Sequence, residues 1–112
     1  MIFHITTAEL WAAAQKARKY DADSLATEGF IHCSTEEQVA QVANAAFRGR
    51  EGLVVMHIDE GRLEVPVTYE NLEGGEQLFP HVYGPVTVEA VIRVSPLEAE
   101  TNGEFVFGAV AP

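Results

Sequence analysis

The sequence is short of cations. Seven Lys and Arg stand against seventeen Asp and Glu in 112 residues, a formal charge of −10. Proteins that hold duplex nucleic acid neutralise its phosphates with clustered Lys and Arg, and anionic membrane surfaces attract polybasic segments. This balance excludes both as expected partners. Long apolar runs are also missing: none reaches the roughly 18–20 residues of a spanning helix. The opening residues 1–7 carry neither the basic region nor the apolar stretch of a secretory leader. Cys33 is the only cysteine, which rules out an internal disulfide and a four-cysteine metal site. A cytoplasmic location is therefore expected. There is no glycine-rich dinucleotide motif, no P-loop, no His-Glu-x-x-His, no repeat and no linker-like tract.

What remains is ordinary globular material, 47% apolar and 21% charged. The length suits one domain over residues 1–112, because domains most often run to about 100–150 residues. Ile2–Ile5 reads as a first strand. Thr6 and Glu9 have the spacing of a capping box and open a first helix with Leu10, Trp11, Ala14 and Ala17. Glu28–Cys33 reads as a second strand, and Ser34 with Glu37 repeats the cap. Val39, Val42, Ala43, Ala46 and Phe47 then fall on one helical face, with Gly49 beyond its end. After Gly49 the period changes to two. Leu53–Ile58 is a strand covered on both faces; Leu63–Tyr69 alternates, and Pro66 marks it as an edge. Asn71–Gln77 is a loop, Phe79–Tyr83 a short strand and Val86–Val94 a longer one. Residues 98–112 form a tail in which Phe105–Phe107 is expected as a final edge strand. The expected fold is α+β, two N-terminal helices packed on a mostly antiparallel split sheet.

Chemistry is sought first at the four histidines, because imidazole titrates near neutrality. His4 and His32 each precede a helix opened by a hydroxyl, Thr6 and Ser34 respectively, so each lies beside free helix amides. His57 neighbours Asp59 and reads as a half-buried, hydrogen-bonded side chain. His81 sits in Phe79-Pro80-His81-Val82-Tyr83-Gly84, where two rings besides its own are presented by a stiff backbone. Cys33 reads as a small buried hydrophobe, since His32 beside it points to the opposite face. Glu89 and Arg93 alternate on one strand face and suit a cross-strand pair or a site wall. No histidine pair has a metal-ligand spacing, so no metal site is assigned.

The segments Gly29-Phe30-Ile31-His32-Cys33-Ser34-Thr35 and Phe79-Pro80-His81-Val82-Tyr83-Gly84, with Phe3-His4-Ile5-Thr6 and Trp11, resemble the bacterial domain of unknown function family 952. The resemblance runs from residue 2 to about residue 97. It implies a fold similar to ADP-ribosyltransferases, and with it binding of NAD, ADP-ribose or a related nucleotide, NAD being the substrate of a transferase. On that resemblance His4, His32 and His81 are the catalytic candidates, and Thr6, Ser34, Phe79 and Tyr83 the nucleotide-binding ones. The third position of such sites is often a glutamate; here His81 occupies the corresponding region, and no glutamate is evident there. Two other functions stay open: a non-catalytic module that binds a small molecule or a protein, and a histidine metal site with hydrolytic activity.

Overall fold

A computed structural model of the chain describes residues 1–72 and 74–108. In chain order these form β1 (Ile2–Thr7), α1 (Ala8–Ala17), β2 (Lys19–Tyr20), α2 (Asp23–Thr27), β3 (Ile31–His32), α3 (Val39–Ala46), β4 (Leu53–Ile58), β5 (Val67–Glu70), β6 (Phe79–Val82), β7 (Val86–Thr87) and β8 (Val91–Leu97). Single turns of 3-10 helix lie at Glu36–Gln38, Glu60–Arg62 and Val88–Ala90. Helices and antiparallel strands thus share one compact domain with a radius of gyration of 13.6 Å.

The most apolar strand organises the rest. β4 pairs antiparallel with β1 on one side, Ile2 opposite Ile58 through to Thr7 opposite Leu53, and with β8 on the other. Its alternate residues feed two cores, as the continuous apolar run predicts. Leu53 and Val55 join Phe3, Ile5, Val39, Ala43, Leu97 and Phe105 on the face covered by α3. Met56 and Ile58 join Ile2, Ala14, Tyr20, Ile31, Val82 and Val86 on the other. A second sheet, in the order β3-β6-β5, leaves β5 at its edge just after Pro66, and a two-stranded ribbon pairs β2 with β7.

The two larger sheets meet at one seam. Ser34, just past β3, exchanges both backbone hydrogen bonds with Phe3 of β1: Phe3 N–H to Ser34 O at 2.8 Å and Ser34 N–H to Phe3 O at 2.7 Å. One residue earlier, Cys33 N–H donates to Pro80 O of β6 at 3.0 Å. β1, β3 and β6 therefore run side by side, and His4, His32 and His81 each stand on one of them.

Several expected boundaries move by short distances. The first helix is capped by Thr7, whose hydroxyl accepts from Leu10 N–H, not by Thr6. The third is opened by a capping box of Thr35 and Gln38, not Ser34 and Glu37. In both cases the chain offers two adjacent hydroxyls, and the first residue is engaged elsewhere: the Thr6 hydroxyl with that of Tyr20, and the Ser34 backbone with Phe3. Only Ile31–His32 of the expected strand Glu28–Cys33 is paired, because α2, a helix the sequence reading did not contain, ends at Thr27. The alternation at Leu63–Tyr69 becomes strand only from Val67. Val86–Val94 is broken by the 3-10 turn at Val88–Ala90, which turns Glu89 toward Arg18 and away from Arg93.

Phe105–Phe107 is no strand; residues 109–112 of the expected tail lie outside the described residues. The Asn44 side chain on α3 holds this segment instead. Its Oδ1 accepts from Phe105 N–H at 2.8 Å and its Nδ2 donates to Phe105 O at 3.0 Å, which seats the fully buried Phe105 ring in the core.

Two substitutions test this packing. Asn44→Ala leaves both Phe105 backbone groups without their partner, and a cost of about 1–3 kcal/mol is expected. An unchanged melting temperature would show that the segment is held by other contacts. Gly84, at φ +156° just after β6, has no room for a side chain: a Cβ there would stand 2.5 Å from Val65 Cγ1. Gly84→Ala is expected to cost about 1–3 kcal/mol through overpacking, read as a shift of the urea midpoint.

Candidate functional site

The seam opens on one side into a cavity of about 660 Å³, within the range of about 300–1,000 Å³ usual for small-molecule sites. His4, His32 and His81 all line it, together with Ser34 and Phe79. Five of the seven residues selected from sequence thus face one space. The other two do not line it. Thr6 is 4% exposed and sits behind His4, and Tyr83 stands outside, touching the lining residues Glu70 and Phe30.

His4 is locked in place. Its Nδ1 lies 2.6 Å from the carbonyl of His32. A carbonyl only accepts, so Nδ1 carries the proton. Burial pushes the ring's pKa down to about 4, which keeps it neutral at pH 7 and leaves Nε2 as an acceptor. The Tyr20 hydroxyl meets that nitrogen at 2.9 Å and is itself 2.9 Å from Thr6 Oγ1. Both ring nitrogens are thus engaged within the protein. His4 ties β1 to the backbone of β3 and sets the position of His32.

His32 and His81 are arranged differently. Each has one ring nitrogen on a carboxylate: His32 Nε2 lies 3.0 Å from Glu28 Oε2, and His81 Nδ1 lies 2.9 Å from Glu70 Oε1. Among the described residues the second nitrogen of each has no partner. Among the described residues no buried side-chain nitrogen or oxygen is left unpaired, so the second nitrogen of the 5%-exposed His81 meets the cavity. Phe30 orders the pair. Its ring stacks on His81 at 4.1 Å between centroids and 19° between planes, and it touches His32 at 4.8 Å. The two imidazoles meet edge to face at 5.4 Å. A carboxylate on one nitrogen fixes tautomer and orientation and leaves the other free for proton transfer or a ligand hydrogen bond.

Glu28 and Glu70 are functional candidates that the sequence reading missed. Glu70 is held below the usual carboxylate range, first by the Tyr83 hydroxyl and then by His81. Its reach follows from the β5–β6 register: Glu70 lies opposite Phe79 and Thr68 opposite His81, so Glu70 is diagonal to His81 on one sheet face. Recognising Leu63–Glu70 and Phe79–Tyr83 as one hairpin is the signal that finds it. Glu28 had a fainter one, its spacing of four from His32.

The α3 wall is mostly apolar: Val42, Ala45 and Ala46, followed by Phe47, with Gln41 the one polar residue beside them. Cys33 also lines the cavity but is 3% exposed, and burial drives its thiol pKa far up, so it acts as packing. His57 lies elsewhere, bonded to Ser95 Oγ at 2.8 Å and edge-on to Phe3 at 5.0 Å, the structural role read for it.

The fold and this site define an α+β domain with a histidine–carboxylate cleft at the seam of two antiparallel sheets. Over residues 5–94 the chain matches the family described as a protein of unknown function, DUF952, and it belongs to that family. It is similar to protein CC0527 from Caulobacter crescentus. The crystal structure of that protein superposes with a TM-score of 0.83 at 30% identity, covering 94% of this chain and 92% of that one. Its solution NMR structure gives 0.80 at 31% identity, covering 92% and 89%. No curated protein matches the chain.

The tautomer argument for His4 has a measurable consequence. Its folded pKa lies below the unfolded value of 6.5, so the unfolded state binds the proton first. The stabilisation is complete above pH 6.5 and is lost as pH falls from 6.5 to about 4, by up to about 3 kcal/mol. His57, also lowered by burial, acts in the same direction, so the readout is the ring of His4 itself by NMR. It is expected to stay neutral down to about pH 5; a midpoint near 6.5 would contradict the assignment.

Proposed function

We propose that the cleft is a nucleotide site of the ADP-ribosyltransferase type, taking NAD or ADP-ribose by the ribose and ring end, with ribosyl transfer as its chemistry. The observation that carries this reading is the convergence of His4, His32 and His81, from three separate strands, on one cavity beside the Glu70 carboxylate. The family resemblance seeks a glutamate at the third strand; Glu70 supplies one across the hairpin. In such a transfer the bond between ribose C1′ and the nicotinamide nitrogen breaks, and its electron pair leaves with nicotinamide. Glu70 stabilises the positive charge that develops on the sugar. The acceptor forms the new bond to C1′ and gives its proton to the free nitrogen of His81. His32, Ser34 and Phe79 contact ribose and ring, His4 holds β3 in place, and Tyr83 and Thr6 act from behind as supports of Glu70 and His4.

A second reading, a non-catalytic small-molecule module, is favoured by the apolar α3 wall and by the lack of Lys or Arg among the lining residues. A hydrolytic metal site has less behind it. Among the described residues no three His, Cys, Asp or Glu side chains are placed to hold an ion.

Incubation with NAD separates the first two. Transfer predicts release of nicotinamide, reduced at least about 100-fold in Glu70→Gln, and NAD-induced thermal stabilisation that is lost in His32→Ala. Stabilisation without release supports the binding module. No shift with NAD or ADP-ribose at millimolar concentration ends the nucleotide reading.

A further inference from the structure

The cleft is built with charges of one sign only. Two carboxylates line it, and no Lys or Arg does among the described residues. His4 is neutral, as its pKa of about 4 requires. Even with His32 and His81 both protonated, two positive rings only cancel two carboxylates, so the cleft never presents the net positive charge that binds phosphate. Beyond it the whole chain carries −10. Arg50 is close by, 5.2 Å over the Phe47 ring, but it is not among the lining residues.

The remaining surface favours the opposite ligand charge. Phe30, Phe47 and Phe79 line the cleft; Phe30 is stacked on His81 and Phe47 carries Arg50, so Phe79 is the ring that offers its face beside the carboxylates, the usual surroundings of a weakly hydrated organic cation. Glu70 keeps its charge, because the Tyr83 hydroxyl and His81 both stabilise the ionised form. The field of two carboxylates is concentrated in a space with an apolar far wall, where it acts more strongly than on an open surface.

We infer that the cleft recognises its ligand through a permanent positive charge on an organic group, and leaves any phosphate of that ligand outside. This rests on the reading of the cleft as the ligand site. It adds the charge class of the recognised group, which a dinucleotide with a cationic ring and anionic phosphates leaves undecided.

The test is a calorimetric or NMR titration of the full chain with four probes: 1-methylnicotinamide, neutral nicotinamide, nicotinamide riboside and ADP-ribose. The cation 1-methylnicotinamide is expected to bind at least about ten-fold tighter than nicotinamide, which differs by little more than the charge. Glu28→Gln with Glu70→Gln is expected to bring that ratio close to one. Because Glu70 also holds His81, a second variant leaves the polar wall untouched. Ala45→Lys, at an exposed helix position on the far wall, is expected to weaken cation binding at least about five-fold while the melting temperature holds. Equal binding of the cation and neutral nicotinamide overturns the inference. Binding of ADP-ribose alone also overturns it, yet leaves the nucleotide reading standing. Binding of both cations without ADP-ribose supports the inference and is compatible with NAD as substrate. Binding of 1-methylnicotinamide with no response to nicotinamide riboside supports the inference and ends the nucleotide reading. No binding by any probe ends both.

Discussion

Two hydrogen bonds between Phe3 and Ser34 hold the candidate site together. Without them β1 belongs to one sheet and β3 to another, and His4 is not brought to the His32–His81 pair that β3 and β6 already set side by side. With them, β1, β3 and β6 become neighbours, and residues separated by 28 and 49 positions in the chain face one space. The site adds its own tie at the same place, since His4 donates to the carbonyl of His32. A histidine that looks like a catalyst from the sequence thus does its work as a structural joint. Burial supplies the condition for this, because a charged imidazole would turn Nε2 from an acceptor into a second donor.

The same principle separates the two histidines that remain. Glu28 and His32 are both about half exposed, so water screens their interaction and the pair contributes little to stability. His81 and Glu70 are far less exposed, and the bond there fixes the ring against Phe30. The cleft therefore has one firmly oriented imidazole and one freer one. Both are carboxylate-backed, facing an apolar helix across a cavity of about 660 Å³. Polar chemistry on one wall and packing on the other suits a ligand with a charged or hydroxylated end and a flat apolar body.

Much of this was legible in the residues. Continuous apolar runs gave β4 and the helical face from Val39 to Phe47 gave α3, because burial on two faces or one stripe leaves an unambiguous period. Convergence of His4, His32 and His81 came from the family resemblance, not from periodicity. What failed was short or non-local. The pairs Thr6-Thr7 and Ser34-Thr35 offer equivalent caps, and only tertiary contacts, with Tyr20 at Thr6 and with the Phe3 backbone at Ser34, decide which residue is left to cap. β2 and β3 have two residues each, too few to show any period. Glu70 escaped because its partnership with His81 is diagonal across a hairpin whose register no local signal fixes.

On the proposed function, one cleft shared by three histidines is where this protein meets its ligand. The most direct measurement follows the ring protons of all four histidines by NMR while NAD is added. His57, which packs against Phe3 and does not line the cavity, serves as an internal control. The account predicts that His4, His32 and His81 shift along one saturation curve with a common dissociation constant, while His57 stays in place. A set of shifts confined to His57, or four rings moving with unrelated concentration dependences, would contradict it.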